Sequence, residues 1–253
     1  MQILSRPASQ GFVWLTDGMR LVIKQPIALF AMVFLTLMGM SLPSIIPGIG
    51  PILSVAILPA LYVGLMHAIR ATELGQAPNP AMLITAFKPE SGNVWQPLLM
   101  LGAINAVLTI VVLGIVSMIG SPDLMSLSEA DREAAALEDP LGLITPMLLF
   151  AALYTPVQMA FWYAPLFVAW HRTPVGKSIF FSIVAVWRNK WAFAALFLGW
   201  FGIVLAAVIV LRLLVGALGL SSTAASILLS PLSLFGLTAA YCSFWVSYRD
   251  VIR

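Results

Sequence analysis

Long apolar stretches separated by short polar segments dominate the chain. A bilayer core about 30 Å thick needs roughly 20 apolar residues in a helix, and several stretches approach that length. They lack the two-residue alternation of barrel strands, and a helix satisfies its own backbone groups in lipid. The pattern therefore predicts an all-α, polytopic transmembrane helix bundle. We expect a single integral membrane domain over 1–253 with about six spans, at 26–43, 52–70, 96–119, 144–170, 192–216 and 226–247.

An arrangement of a short amphipathic stretch, a polar turn and two spans occurs three times. The copies begin at GFVWLTDGMRLVIKQPIALF, AMLITAFKPESGNVWQPLLM and GKSIFFSIVAVWRNKWAFAALF. This predicts a 2+2+2 internal repeat, which is common in transporters but also arises in proteins that transport nothing. We expect the amphipathic stretches to be helices lying in the membrane interface. The tryptophans expected to form an aromatic belt there are Trp14, Trp95, Trp187 and Trp191.

Charge is distributed unequally between the two sets of connecting segments. The segment 120–141 holds six acidic residues and one arginine, whereas the other short connections on its side are uncharged. The termini and the connections on the opposite side together hold 11 Lys and Arg residues against four acidic ones. Because positive residues stay inside, we predict cytoplasmic termini and an acidic external loop. A surface helix capped by Ser128 is expected in that loop, either as a solvated spacer or as a cation or partner contact.

The amino-acid composition supports a membrane protein and restricts the classes of partner that we expect. Only 9% of the residues are charged and 61% are hydrophobic, whereas soluble chains carry about a quarter charged residues. The net charge of +3 comes from the segments that flank the spans, so nucleic acid is not an expected partner. The single cysteine, Cys242, excludes an intramolecular disulfide.

Basic residues near the amphipathic stretches are candidates for contact with anionic lipid headgroups. Basic groups near a membrane surface attract such lipids by about 1 kcal/mol each. General anchoring of the protein is the alternative role for the same residues. The candidates are Arg20, Lys24, Arg172, Lys177, Arg188 and Lys190.

Few polar residues lie inside the predicted spans. None has an Asp, Glu or Lys in its middle, which disfavours a carrier coupled to protons or sodium. Asn105, Thr109 and Gln158 are expected either to bond neighbouring helices or to line a solute path. Arg212 is expected at the outer interface, where it either snorkels to headgroups or contacts an anion or the acidic loop.

No residue set indicates catalysis or a cofactor. His67 and His171 lie at span ends without a third ligand at a suitable spacing, so an interfacial role is favoured over haem or metal binding. Nucleophile-elbow, phosphate-loop and metalloprotease motifs are missing from the sequence. We therefore expect a protein that is not an enzyme and that has no cofactor.

Several long motifs resemble a known group of proteins. FWYAPLFVAWHRTPVGKSIFFSIVAVWRNKWAF, the terminal YCSFWVSYRDVI and the opening GFVWLTDGMRLVIKQPIALF are similar to an uncharacterised family of small polytopic inner-membrane proteins of proteobacteria. The resemblance covers nearly the whole chain. It implies a bacterial inner-membrane location and a multi-span bundle, and it brings no reaction or catalytic residue.

Two functions remain open from the sequence. The first is a non-enzymatic inner-membrane protein that binds lipid or a membrane partner as an accessory or assembly factor. The second is a permease or channel for a small neutral or amphiphilic solute. The expected partners are anionic lipids on the cytoplasmic side, together with a second copy of the chain or another membrane protein.

Overall fold

The computed structural model of the protein describes residues 2–88, 92–119, 140–219 and 222–253. Within these ranges the chain is an all-α bundle, which confirms the predicted fold class. Its helices are α1 (Gln10–Lys24), α2 (Pro26–Ser41), α3 (Gly50–Glu73), α4 (Trp95–Ile119), α5 (Pro140–Phe161), α6 (Ala164–His171), α7 (Val175–Arg188), α8 (Lys190–Leu218) and α9 (Ser222–Val251). Short 3-10 helices cover Leu42–Ile45, Pro80–Met82 and Thr85–Phe87. Most of the predicted acidic loop, including Ser128, lies outside the described residues.

Five segments of the described chain are long and apolar enough to cross a bilayer. Each contains or largely overlaps one of the first five predicted spans: Pro26–Ile45, Gly50–Glu73, Trp95–Ile119, Ile144–His171 and Lys190–Leu218. The sixth predicted span, 226–247, lies within α9. It is not among those five and stays a prediction.

The fourth predicted span is broken at Trp162 and Tyr163, where α5 ends and α6 begins. Pro165 lies just after this break, at the second position of α6. Proline has no backbone N–H to donate and clashes with the carbonyl four residues earlier, so it fits the first turn of a new helix better than the middle of an old one. Pro59, Pro146 and Pro156 by contrast lie inside α3 and α5.

The three copies of the repeat pack in a cyclic order. In each case the segment before the polar turn lies against the second span of another copy. In the first copy, a Cβ on Gly18 of α1 would overlap the backbone of Ser243 in α9. In the second, a Cβ on Gly64 of α3 would overlap the backbone of Leu83. In the third, Ser182 of α7 donates a hydrogen bond to the Met159 carbonyl of α5 at 2.7 Å. This packing supports the 2+2+2 repeat.

Two of the amphipathic segments differ from the prediction. The second copy has 3-10 helices at Pro80–Met82 and Thr85–Phe87 in place of an α-helix. Helix α1 packs between α8 and α9, and its Trp14 is fully buried. The expected place of Trp14 in an aromatic belt is therefore wrong, because the indole is a core group. Trp187 and Trp191 are 60% and 69% exposed, as belt residues should be.

Both termini lie at the same end of the bundle. Ile3 and Ile252 form an antiparallel bridge, and the Arg6 guanidinium donates to the Asp250 carbonyl at 2.9 and 2.6 Å. Asn189, between α7 and α8, joins the same cluster: it accepts from the Arg6 amide at 2.8 Å and donates to the Leu4 carbonyl at 2.9 Å. We call this end the terminal half. It contains α1, α6, α7, the first turns of α2, α4 and α8, and the last turns of α3, α5 and α9. The remainder is the distal half.

Candidate functional site

A central cavity of about 290 Å³ lies between the second spans of the three copies. Helices α3, α5, α6 and α9 supply most of its wall, and α4 supplies one residue. The aromatic part of the wall is continuous, because the Tyr62 ring centroid lies 4.8 Å from that of Phe244 and 6.2 Å from that of Tyr241. The wall residues used below are Tyr62, Asn105, Gln158, Trp162, Tyr241 and Phe244.

Two buried side-chain polar atoms, each in a residue that lines the central cavity, have no hydrogen-bond partner. They are Oδ1 of Asn105 and Nε1 of Trp162, both buried, and in the described part of the chain Nε1 of Trp200 is the other side-chain atom of this kind. Asn105 is only 8% exposed. A buried polar atom without a partner costs about 1–3 kcal/mol. Neither atom is accessible to water, so both lie behind the surface of the cavity.

A second, more apolar space lies between α5, the end of α7 and the start of α8. This groove has a volume of about 550 Å³, and Gln158 and Trp162 line both it and the central cavity. Trp162 also packs edge-on against Phe193 and Phe197 of α8, with ring centroids 5.7 Å apart in each pair. Gln158 and Trp162 therefore form a partition between the groove and the cavity.

Lys190 marks the terminal end of the groove. Its Nζ lies 4.6 Å from the ring centroid of Trp187 and 5.8 Å from that of Trp191, within cation–π range. It is the one charged residue among the described residues that line the groove. The ammonium group is exposed and is paired with no carboxylate in the described ranges.

The other predicted headgroup residues lie in different environments. Arg20 pairs with Asp17 at 3.2 Å, and Lys24 donates to the Glu73 carbonyl at 3.4 Å. Arg172, in a left-handed conformation at the end of α6, donates to the Gly92 carbonyl at 3.0 Å. Lys177 and Arg188 are exposed at the two ends of α7. The structure thus brings Arg188 and Lys190 together at one helix junction and leaves the other four apart from them.

The polar residues predicted inside the spans also separate into groups. Asn105 and Gln158 line the central cavity, whereas the Thr109 hydroxyl bonds the backbone carbonyl of Asn105 at 2.8 Å and is not part of the wall. Arg212 is exposed on α8 and has no ion-pair partner among the described residues. The acidic loop predicted as one of its contacts lies outside those residues.

The two histidines each bond an aromatic side chain in the terminal half. Trp170 donates its indole N–H to Nε2 of His67 at 2.9 Å, and the other ring nitrogen lies 3.2 Å from the Thr85 hydroxyl. An indole nitrogen only donates, so Nε2 is unprotonated and His67 donates from Nδ1. His171 lies 2.9 Å from the Tyr248 hydroxyl.

Sequence reasoning missed the acidic residues that organise the terminal half. The Asp250 carboxylate accepts from Gln10 at 2.9 Å and from the Trp14 indole at 3.1 Å. Glu73 accepts from the Trp245 indole at 2.8 Å and pairs with Arg249. One signal was available: Glu73 and Asp250 are two of only four acidic residues on an otherwise basic side.

No known protein-family model matches the chain, and no solved structure does. The chain is 36% identical to a protein of Burkholderia thailandensis described as a probable inner membrane protein, over 98% of this chain and 93% of that protein. Identity at this level over nearly the full length of both chains confirms the resemblance suggested by the sequence motifs. The chain belongs to the same family of inner-membrane proteins as this Burkholderia protein.

Proposed function

We propose that this inner-membrane protein is not an enzyme and binds an anionic phospholipid in the groove between α5 and α8. The observation that carries the proposal is Lys190, held beside Trp187 and Trp191 at the end of an otherwise uncharged, apolar groove. A lipid phosphate would pair with the ammonium group, while an acyl chain would lie along the apolar walls. The described residues that line the groove include no Asp, Glu, His or Cys to act as an acid, base or nucleophile.

The surroundings of Lys190 support an anionic headgroup in particular. Arg188 is exposed two residues away, and neither side chain is paired with a carboxylate in the described ranges. A hydrogen bond to a charged group contributes about 1.5–3 kcal/mol. Trp187 and Trp191 supply the amphipathic rings that prefer headgroup depth.

We further propose that the termini face the cytoplasm, so that the lipid comes from the inner leaflet. The pairing of Ile3 with Ile252 puts both termini at the Lys190 end of the bundle. The segments assigned to that side hold 11 cations against four acidic residues, which is the asymmetry expected for a cytoplasmic face.

Native mass spectrometry on the purified full-length protein tests this proposal directly. After incubation with equal amounts of phosphatidylglycerol and phosphatidylcholine, we expect retained phosphatidylglycerol to exceed phosphatidylcholine by about tenfold, which corresponds to about 1.4 kcal/mol. Lys190→Gln should abolish this preference, and Ala194→Phe, which fills the groove, should reduce retention of both lipids.

Arg20→Gln is the matched control, because Arg20 is also an exposed cation but already pairs with Asp17. It should keep the wild-type preference. A Lys190→Gln protein that still selects phosphatidylglycerol would contradict the headgroup site. In protein extracted from its own membrane, the same spectra test an accessory role, which predicts a second polypeptide in fixed ratio.

A further inference from the structure

We propose that a basic pocket in the terminal half binds a phosphate monoester that carries an apolar group. The pocket has a volume of about 460 Å³ and is lined by the ends of α3, α6 and α9. None of its described lining residues lines the lipid groove between α5 and α8. The proposal therefore does not depend on the lipid proposed for that groove.

The pocket has two arginines whose charge is not compensated by an ion pair. The lining side chains that carry a full charge at neutral pH are Arg70, Glu73, Arg249 and Arg253. Arg249 is compensated, because it pairs with Glu73 and with Asp250. Arg70 and Arg253 are exposed and pair with no carboxylate in the part of the chain that the structure describes. Two guanidinium groups therefore remain for an anion.

Packing holds the Arg70 guanidinium beside the pocket. Its central carbon lies 5.9 Å from the ring centroid of Trp170, within cation–π range. Trp170 is itself fixed by the hydrogen bond from its indole N–H to Nε2 of His67 at 2.9 Å. A cation–π contact uses the face of the ring, so the N–H donors of the guanidinium stay available to a ligand. A charged group that is already held in place loses less conformational freedom when an anion binds.

Two available guanidinium groups favour a dianion over a monoanion. A phosphate monoester carries a charge of about −1.5 to −2 near pH 7, and a guanidinium binds a phosphate through two parallel N–H bonds. A sulfate ester or a phosphodiester has a single negative charge and would compensate only one of the two arginines. The pocket volume of about 460 Å³ lies within the usual range for ligand sites, about 300–1,000 Å³, so there is room for an organic group beside the phosphate.

The remaining wall of the pocket is apolar. Leu74 is 65% exposed and Trp170 is partly buried, so both present apolar surface to a ligand. Trp245 and Tyr248 are only 5% and 6% exposed and pack against Trp170, with ring centroids 5.6 and 5.3 Å from it. Both indole N–H groups already donate within the protein. The wall therefore offers mainly van der Waals contact, which suits an apolar group on the ester.

Equilibrium dialysis of the full-length protein in phosphatidylcholine nanodiscs tests the site, with empty nanodiscs subtracted. The probes are 1-naphthyl phosphate, 1-naphthyl sulfate and inorganic phosphate. We expect saturable binding of 1-naphthyl phosphate and affinities about tenfold or more lower for the other two, since one charge-assisted hydrogen bond contributes that much. Equal affinity for the naphthyl sulfate would overturn the dianion site, and equal affinity for inorganic phosphate would overturn the apolar contact.

Substitution of each uncompensated arginine tests the assignment. Arg70→Gln and Arg253→Gln should each weaken binding of 1-naphthyl phosphate about tenfold. Both side chains are exposed, so the melting temperature should stay unchanged and exclude misfolding as the cause. Normal binding by both folded variants would refute the proposal.

Two further variants are matched controls. Arg212→Gln removes the same charge from an exposed arginine in the distal half that also has no ion-pair partner among the described residues, and it should bind 1-naphthyl phosphate normally. Lys190→Gln, which tests the lipid groove, should also bind it normally. Loss of binding in Lys190→Gln would place the probe in the groove and overturn the pocket as its site.

A phosphate monoester can reach the pocket from solution or as the headgroup of phosphatidic acid. The dialysis is therefore repeated in nanodiscs that contain phosphatidic acid and in nanodiscs that contain the same fraction of phosphatidylglycerol, an anionic phosphodiester. Displacement of 1-naphthyl phosphate by phosphatidic acid alone would identify the lipid as the source. An equal effect of the two lipids would identify a soluble ester.

Discussion

In the terminal half, side chains as large as Trp14, Tyr163 and Phe167 are fully buried, whereas in the distal half Phe201 and Leu213 of α8 are 65% and 68% exposed. One helix shows both states: α8 buries Ala192, Phe193 and Leu196 in its first two turns and no residue after them. The terminal half holds Glu73, Asp250 and most of the basic residues, whereas the part of α8 after Leu196 has Arg212 as its one charged residue. The difference in burial follows from what the helices can bond to.

Apolar side chains gain little from leaving lipid for a protein core, since both are hydrocarbon environments. Helices in membranes associate through close packing and interhelical hydrogen bonds. The terminal half supplies both, through Gly18 against Ser243, Ser182 bonded to Met159, and the acceptors Glu73 and Asp250. The distal part of α8 lies exposed, and a Cβ on its Gly202 or Gly216 would meet nothing within 4 Å.

Removal of an aromatic ring should give the largest difference in stability between the two halves. Phe167→Ala removes a fully buried side chain that lies beside Tyr163 and Tyr248, and we expect a loss of about 3–5 kcal/mol in the free energy of unfolding. Phe201→Ala removes an exposed ring and should change it by less than about 0.5 kcal/mol. Unfolding in mixed detergent micelles, followed by circular dichroism, measures both, and similar losses would contradict the contrast.

Two glycines on α4 test close packing within one helix. A Cβ on Gly102 would overlap the backbone of Ala56 in α3, whereas a Cβ on Gly114 meets nothing within 4 Å. Gly102→Val should therefore cost about 1–3 kcal/mol through overpacking. Gly114→Val should cost little, because valine is a slightly better helix former than glycine. The same micelle assay compares them, and a Gly114→Val protein as unstable as Gly102→Val would show that α3 contact is not the cause.

Two aspartates test whether buried hydrogen bonds or exposed ion pairs stabilise the terminal half. Asp250→Asn keeps an acceptor for Trp14 but removes its charge, and hydrogen bonds to charged groups exceed neutral ones by about 1 kcal/mol, so a loss of that size is expected. Asp17→Asn disrupts only the exposed pair with Arg20 and should cost less than about 0.5 kcal/mol. If Asp17→Asn lowers the melting temperature more than Asp250→Asn does, the hydrogen bonds of Asp250 are not what stabilises the terminal half.

The sequence predicts what depends on composition and periodicity. The apolar runs predict the all-α bundle and about six spans, five of which match segments of the described chain that can cross a bilayer, because these features need only length and hydropathy. It also identifies Asn105, Thr109 and Gln158 as candidates for a solute path or for bonds between helices, since polar residues inside spans are rare. Asn105 and Gln158 line the central cavity, and Thr109 does not.

The remainder depends on which helices meet. Trp14 has the sequence context of an interfacial tryptophan, but α1 packs between α8 and α9 and buries it against Asp250. In the sequence, Trp162 is one of three consecutive aromatic residues in FWYAP and has no distinguishing feature. It lines the cavity because the helix breaks before α6 and because the three copies pack around that space. No local pattern encodes a contact between residues this far apart along the chain.

The packing of α1 against α9 joins the first described helix of the chain to the last. The Gly18 contact on Ser243 cannot form until roughly 220 more residues have been synthesised, which takes on the order of 10–40 s at about 5–20 residues per second. During that interval the glycine face of α1 lacks its final partner. The cyclic order of the bundle therefore closes only once α9 has been made, and a chain truncated before α9 leaves the Gly18 face of α1 uncovered.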